Sequence, residues 1–193
     1  MTVAAIAIGR NEGERLRRCL LSLLPQADRI VYVDSGSTDG SIAMARELGV
    51  TVVELDRTIP FTAARARHAG FKALGDAPPD FVQLVDGDCA VEPGWIAAAR
   101  DRLAADPAIG IVTGWRTEIA PDANAFHTMA EVEWHQPAGD IAACGGDMMV
   151  RAAAFAQVGG FDPAIIASED EEFVIRIRKA GFRAVRLPRI MTR

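Results

Sequence analysis

The chain has 193 residues, half of them apolar, with 21 Lys and Arg against 26 Asp and Glu and a formal charge of -5. That is enough to bury one core and no more than one ordinary domain is needed, so residues 1–193 read as a single domain. The acidic balance argues against a general nucleic-acid binder, which wants a basic face, and Cys19, Cys89 and Cys144, odd in number with no C-x-x-C pairing, indicate neither a disulfide framework nor a zinc site and fit a reducing cytoplasm.

In chain order, Val3 to Ile8 is a short apolar run bounded by Gly9, and Glu14 to Leu24 carries Leu16, Leu20, Leu23 and Leu24 at helical spacing. The pattern repeats with a strand at Arg29 to Val33, a helix at Thr38 to Leu48 capped by Ser37 or Thr38, a strand at Val50 to Leu55 and a helix at Thr62 to Leu74. After the turn at Ala77-Pro78-Pro79 come a strand at Phe81 to Val85, a helix from about Pro93 and a strand at Ile109 to Thr113. From Gly114 to Gly146 the pattern loosens around a short helix at His127 to Trp134, an excursion of the kind that carries specificity. A strand at Met148 to Arg151, helices at Ala152 to Val158 and Glu169 to Ala180, and a last strand at Arg183 to Leu187 complete the chain. Alternating strands and helices predict an α/β fold, a mainly parallel sheet covered by helices on both faces.

No segment approaches the ~20 uninterrupted apolar residues that span a bilayer, and the N-terminus lacks the pattern of a signal peptide. The locally basic end, Arg176, Arg178, Lys179, Arg183, Arg186, Arg189 and Arg193, reads first as a solvated face and second as a surface for a phosphate or for peripheral contact with the inner face of a membrane.

Ligands of open α/β sheets bind outside the carboxyl ends of the strands, and the polar residues stand there: Gly9 to Gly13, Asp34 to Gly40, and Asp86-Gly87-Asp88. The last places two hard oxygen ligands at a sheet rim, where a divalent cation can bridge protein to nucleotide phosphates; its bland competitor is a polar strand-to-loop turn. The Asp34 carboxylate suits a nucleobase N–H or a ribose hydroxyl, or an Asx turn closing on its own backbone. A G-x-G-x-x-G fingerprint and a Walker P-loop are both absent, which argues against nicotinamide or flavin.

Together these segments resemble family 2 glycosyltransferases of the GT-A fold, a Rossmann-like, mixed, mostly parallel sheet flanked by helices. The resemblance rests on Asn11-Glu12, on Val33 to Asp39, on the Ala-Arg helix Ala63 to Gly70, on Asp86-Gly87-Asp88, on Gly145 to Arg151 with Val158-Gly159-Gly160-Phe161-Asp162, and on Glu169-Asp170. It implies an inverting transferase with Mg²⁺ or Mn²⁺ at Asp88 and Asp86, and a nucleoside-diphosphate sugar donor, most simply a UDP sugar. Asn11, Glu12, Asp34, Ser35, Arg67, Asp86, Gly146 and Asp147 are its implied donor contacts. Asp170 is the implied base toward a glycan or lipid-linked acceptor, with no nucleic acid involved. Its helix-end alternative is electrostatic, since Glu169 to Glu172 all favour a helix N-terminus. Arg65 stands beside Arg67 as a candidate; Trp115, Trp134, His127 and His135 are candidate acceptor contacts; Glu131, Glu133 and His135 are discounted as a metal cluster because helical spacing scatters them. The chain departs from the family in having His68 for an Asn. It also lacks a His between Pro188 and Arg193, which implies a domain shortened at its C-terminus. Two other classes remain beside the transferase: a nucleotidyltransferase, for which Gly9 to Gly13 is a poor triphosphate loop, and a non-catalytic nucleotide-sugar-binding protein.

Overall fold

The computed structural model describes all 193 residues. Eight strands, β1 (Val3–Gly9), β2 (Arg29–Asp34), β3 (Thr51–Glu54), β4 (Phe81–Asp86), β5 (Ile109–Arg116), β6 (Gly139–Asp140), β7 (Met148–Arg151) and β8 (Arg183–Thr192), form one sheet in the order β3-β2-β1-β4-β7-β5-β8-β6. Seven helices flank it: α1 (Glu14–Leu23), α2 (Ser41–Glu47), α3 (Ala63–Lys72), α4 (Trp95–Ala105), α5 (Ala125–Trp134), α6 (Ala152–Gln157) and α7 (Glu169–Lys179).

The continuous apolar reading of β1 has a direct cause. Val3, Ala5 and Ala7 enter one core, with Leu16, Leu20 and Leu23 of α1, while Ala4, Ile6 and Ile8 enter the other, with Ala64 and Ala66 of α3. A strand buried on both faces has no polar side to alternate with. Helix α3 lies close on the sheet because it presents Gly70, where an added Cβ would stand 2.4 Å from Ile6 Cγ2. On the same face α7 buries Phe173, Val174 and Ile177, and Phe161 stacks on Phe173 at 4.2 Å between ring centroids.

Strands β3, β2, β1 and β4 are mutually parallel, as the alternation predicts. Beyond them the sheet is mixed: β7 runs antiparallel to β4 and β5, and the two-residue β6 runs antiparallel to β8. Three local expectations are corrected. Helix α2 starts at Ser41 behind Gly40 (φ 86°), with no side-chain cap, because Ser37 and Thr38 bond to the preceding loop instead. Strand β5 continues past Thr113 to Arg116. Strand β8 runs through Pro188 to Thr192, the proline falling where the β5–β8 register shifts and no ladder bond is required of it.

Candidate active site at the carboxyl ends of the strands

The loops after β1 and β2 are tied to each other. Asn11 adopts a left-handed backbone (φ 57°), which Asn tolerates better than most residues. Its N–H donates to Ser37 Oγ (2.9 Å), and its Oδ1 accepts from the Thr38 N–H (2.7 Å). Glu12 pairs with Arg15 at 2.7 Å. Asp34 is 1% exposed; Oδ1 accepts the N–H groups of Gly36 and Ser37, and Oδ2 accepts the Tyr32 hydroxyl at 2.7 Å. Of the two roles open to Asp34, the geometry fills the turn role. Ser35, half-buried, lines a cavity of about 420 Å³ with Ile8, Thr62, Ala66, Asp86 and Asp88. Thr62 caps α3 by accepting from the Arg65 N–H, and the Arg65 guanidinium turns back to the Asp56 and Ile59 carbonyls.

The centre of the site is a chain of alternating charge. Arg67, 3% exposed, reaches from α3 to Asp86 Oδ1 at 2.7 Å and to Glu169 at the start of α7, 102 residues away in sequence. Arg116 approaches Asp86 Oδ2 at 3.4 Å and Asp147 Oδ2 at 3.0 Å. Asp147 is itself enclosed. Its Oδ1 accepts the Asp86 N–H and its Oδ2 accepts the Thr192 hydroxyl, so it fixes the end of β4 from within. Burial pushes the Asp147 carboxyl up from its ordinary value, with Arg116 pulling the other way, and Asp147 in turn drives the Arg116 guanidinium further up. Gly146 makes room for this chain: an added Cβ would fall 1.9 Å from Arg67 Nη2. Gly146 and Asp147, implied as donor contacts, thus lie behind the site and shape it.

Asp170 stands half-buried beside that centre. An added Cβ on Gly145 would lie 3.8 Å from Asp170 Oδ2 and 3.9 Å from Arg116 Nη1, which puts the carboxylate and the guanidinium on either side of one glycine. The Arg116 guanidinium lies 5.6 Å from the Trp134 ring centre. Arg116 was missed in the sequence because β5 was ended at Thr113; the rule that placed Asp34 and Asp86 at strand ends would have found it three residues on. Trp115 donates to the Gln136 carbonyl and His127 and His135 bond to nearby carbonyls, while Trp134, of the four candidates in the excursion, lines the cavities beside Arg116.

Asp88 is exposed and accepts only from the Cys89 thiol. It sits on the rim of the 420 Å³ cavity and of a second one, about 440 Å³, lined by Arg15, Arg18, Arg116 and Trp134. No group of three or more His, Cys, Asp and Glu side chains is placed to cage an ion. Asp88 is thus the one carboxylate of the Asp-x-Asp pair left free of a guanidinium, and a hard cation, if it bound there, would have to complete its shell from phosphate and water. Both oxygens of Asp86 are held by guanidiniums.

Comparison with known proteins identifies the fold and the family. The structure superposes on Staphylococcus aureus TarS in complex with UDP-GlcNAc with a TM-score of 0.78 at 15% identity, over 100% of this chain and 58% of that one. It superposes on the mannosyltransferase PcManGT of Pyrobaculum calidifontis, in complex with GDP-Man and Mn²⁺, with a TM-score of 0.73 at 21% identity, over 98% of this chain and 55% of that one. The fold is that of the GT-A glycosyltransferases. In sequence, the succinoglycan biosynthesis protein ExoA of Rhizobium meliloti is 27% identical over 177 residues, 84% of this chain and 52% of ExoA. Residues 6–158 match the family described as Glycosyl transferase family 2, and the chain belongs to that family. It spans about half the length of ExoA, and no helix is long and apolar enough to cross a membrane.

Proposed function

We propose that this domain transfers a sugar, with inversion, from a nucleoside-diphosphate sugar, a UDP sugar first among the candidates, to a glycan or lipid-linked acceptor. The observation that carries the reading is the bridge made by Arg67. One buried guanidinium joins the Asp-x-Asp strand end to the start of the helix that bears Asp170, so the carboxylate proposed for the donor side and the one proposed for the acceptor side belong to one rigidly tied site. TarS and PcManGT, which hold nucleotide sugars on the same fold, support it.

In this reading the 420 Å³ cavity beneath Ser35, Thr62 and Ala66 takes the nucleoside, and Asn11, by fixing one loop to the next, keeps that cavity open. Asp88 would hold Mg²⁺ or Mn²⁺, which when bound would supply neutralising charge for a departing diphosphate. Asp170 takes the proton of the acceptor hydroxyl as its oxygen attacks the anomeric carbon and the bond to the diphosphate oxygen breaks. Arg67 and Arg116 hold Asp86 and Asp147 still, so that the electrostatics need no rearrangement at that moment.

The test is calorimetric titration of UDP, GDP and CDP, with and without Mn²⁺, against the wild-type chain and Asp88→Ala. Mn²⁺-dependent binding of UDP that Asp88→Ala abolishes is the expected result. Binding of none of the three by a folded chain would sink the proposal. NMR assignment of the product anomer tests inversion separately.

A further inference from the structure

Resting on the transfer reading above, we propose that the acceptor carries an oxyanion, a sugar carboxylate or phosphate, which Arg186 receives in a cavity of about 240 Å³ beside Asp170.

This cavity shares no lining residue with the 420 Å³ one and includes neither Asp86 nor Asp88. Its volume falls below the roughly 300–1,000 Å³ typical of pockets for larger ligands and suits a single sugar ring. Trp134 offers that ring an apolar face, and Thr113, Cys144 and Gly145 form other parts of the wall.

The charges in the wall are unequal in their commitments. Asp147 is answered by Arg116 and Thr192, and Arg116 by Asp147 and Asp86. Glu133 is exposed at the rim, where it can accept from sugar hydroxyls. Of the two guanidiniums in the wall, Arg186 is the one without a carboxylate. It donates to the Pro137 carbonyl at 3.2 Å, no carboxylate is paired with it, and its Nε is buried without a partner. A guanidinium is a planar fork matched to carboxylate and phosphate oxygens, and leaving a buried donor unused costs free energy that a ligand oxygen would recover.

The position relative to the base is also right. Gly145 lines the same wall as Arg186, and an added Cβ there would lie 3.8 Å from Asp170 Oδ2; both charges are felt by neighbouring Cys144, whose thiol is pushed up to about 12 by burial, then by Asp170, with Arg186 acting the other way. An acceptor sugar anchored by its oxyanion on Arg186 is therefore held in the cavity whose wall adjoins Asp170.

The probes are methyl glucuronoside, glucose 6-phosphate and the neutral methyl glucoside, followed by saturation-transfer NMR on the full chain, Arg186→Gln and Arg186→Lys. UDP with Mn²⁺ is titrated on the same samples. At least one anionic sugar should bind about tenfold more tightly than methyl glucoside, the effect of one charge-assisted contact, and Arg186→Gln should erase the preference. Whichever anionic probe wins names the source, carboxylate or phosphate. Equal binding of charged and neutral sugars, or a preference that survives Arg186→Gln, overturns the inference. If Arg186→Gln does not fold, Arg186→Lys decides: losing the fork should shrink the preference, and an unchanged preference overturns the inference. UDP binding without any anion preference removes this inference and leaves the transfer reading. Anion preference without UDP binding removes the transfer reading and with it the acceptor role, leaving only an anionic-sugar site at Arg186, which overturns the inference as stated.

Discussion

The two halves of the sheet are built differently. In β3-β2-β1-β4 every pairing is parallel and in register, and the polar groups at the strand ends are spent on one another, as Asp34 is on Gly36, Ser37 and Tyr32. In β7-β5-β8-β6 antiparallel pairings flank the parallel β5–β8 pair, that pair shifts register, and α5 buries none of its residues. That irregular half supplies Arg116, Trp134 and Arg186, side chains that face open space. The contrast separates a fixed platform, where the donor is proposed to bind, from a half whose loops are free to vary. Arg67 and Gly146 form the seam between them.

The sharpest way to break the contrast is at Asp170, the carboxylate proposed as the base. Asp170→Asn keeps the shape of the side chain and removes its basicity. Transfer should fall by about 10³-fold, in the range of a general-base contribution, while the affinity for UDP with Mn²⁺, held on the other half, stays within about twofold. Steady-state rates and calorimetry on the same protein check both. Residual transfer near the wild-type rate would assign Asp170 to helix-end electrostatics.

The seam can be tested against the platform by one pair of substitutions. At Gly146 an added Cβ meets a guanidinium whose two terminal nitrogens are already bound to Asp86 and Glu169. The fork cannot swing away without uncovering two half-buried carboxylates, so Gly146→Ala should cost about 3 kcal/mol of stability. At Gly70 the added Cβ meets Ile6 and Val33 side chains at 2.4 and 3.0 Å. A shift of the helix eases that contact, and alanine gains about 1 kcal/mol of helix propensity over glycine, so the net loss in Gly70→Ala should be only about 1 kcal/mol. Urea unfolding of the two variants reads the difference. An equal loss at both positions would mean that the ionic seam is no stiffer than ordinary packing.

The same division governs what the sequence revealed. Strands β1, β2 and β4 were legible because burial on both faces writes an unbroken apolar run, and Asp34, Asp86 and Asp88 were legible because such runs end at the ligand side. The direction of β7 was not, since Met148 to Arg151 has the same apolar pattern whether it runs parallel or antiparallel. Pro188 concealed the second part of β8, because a proline reads as a stop unless the partner strand is known to bulge there. Arg67 was named as a candidate donor contact, but its partners within the protein were not: an ion pair between residues 102 apart has no local signature. Arg116 and Arg186 looked like any other arginine near a strand.

The smallest effect concerns His68, the position where this chain departs from the Asn of its family. The ring is packed against the Phe161 segment, with an added Cβ on Gly160 only 2.8 Å from its Nδ1, and that nitrogen has no hydrogen-bond partner. Burial first, and Lys72 second, push its pKa below 6.5, with the Phe161 backbone acting the other way. The sign of the linkage follows. The unfolded chain takes up a proton near the ordinary value while the folded chain resists it, so the contribution is complete above that value and is lost as the pH falls below it. Acidification from about pH 7.5 to about pH 5.5 should therefore lower the urea midpoint more in the wild type than in His68→Asn, which has nothing to protonate there. Comparing the two proteins at each pH cancels every other titrating group. Parallel midpoints would show that His68 finds a proton acceptor in the fold and that the join between α3 and the Phe161 segment relaxes to provide it.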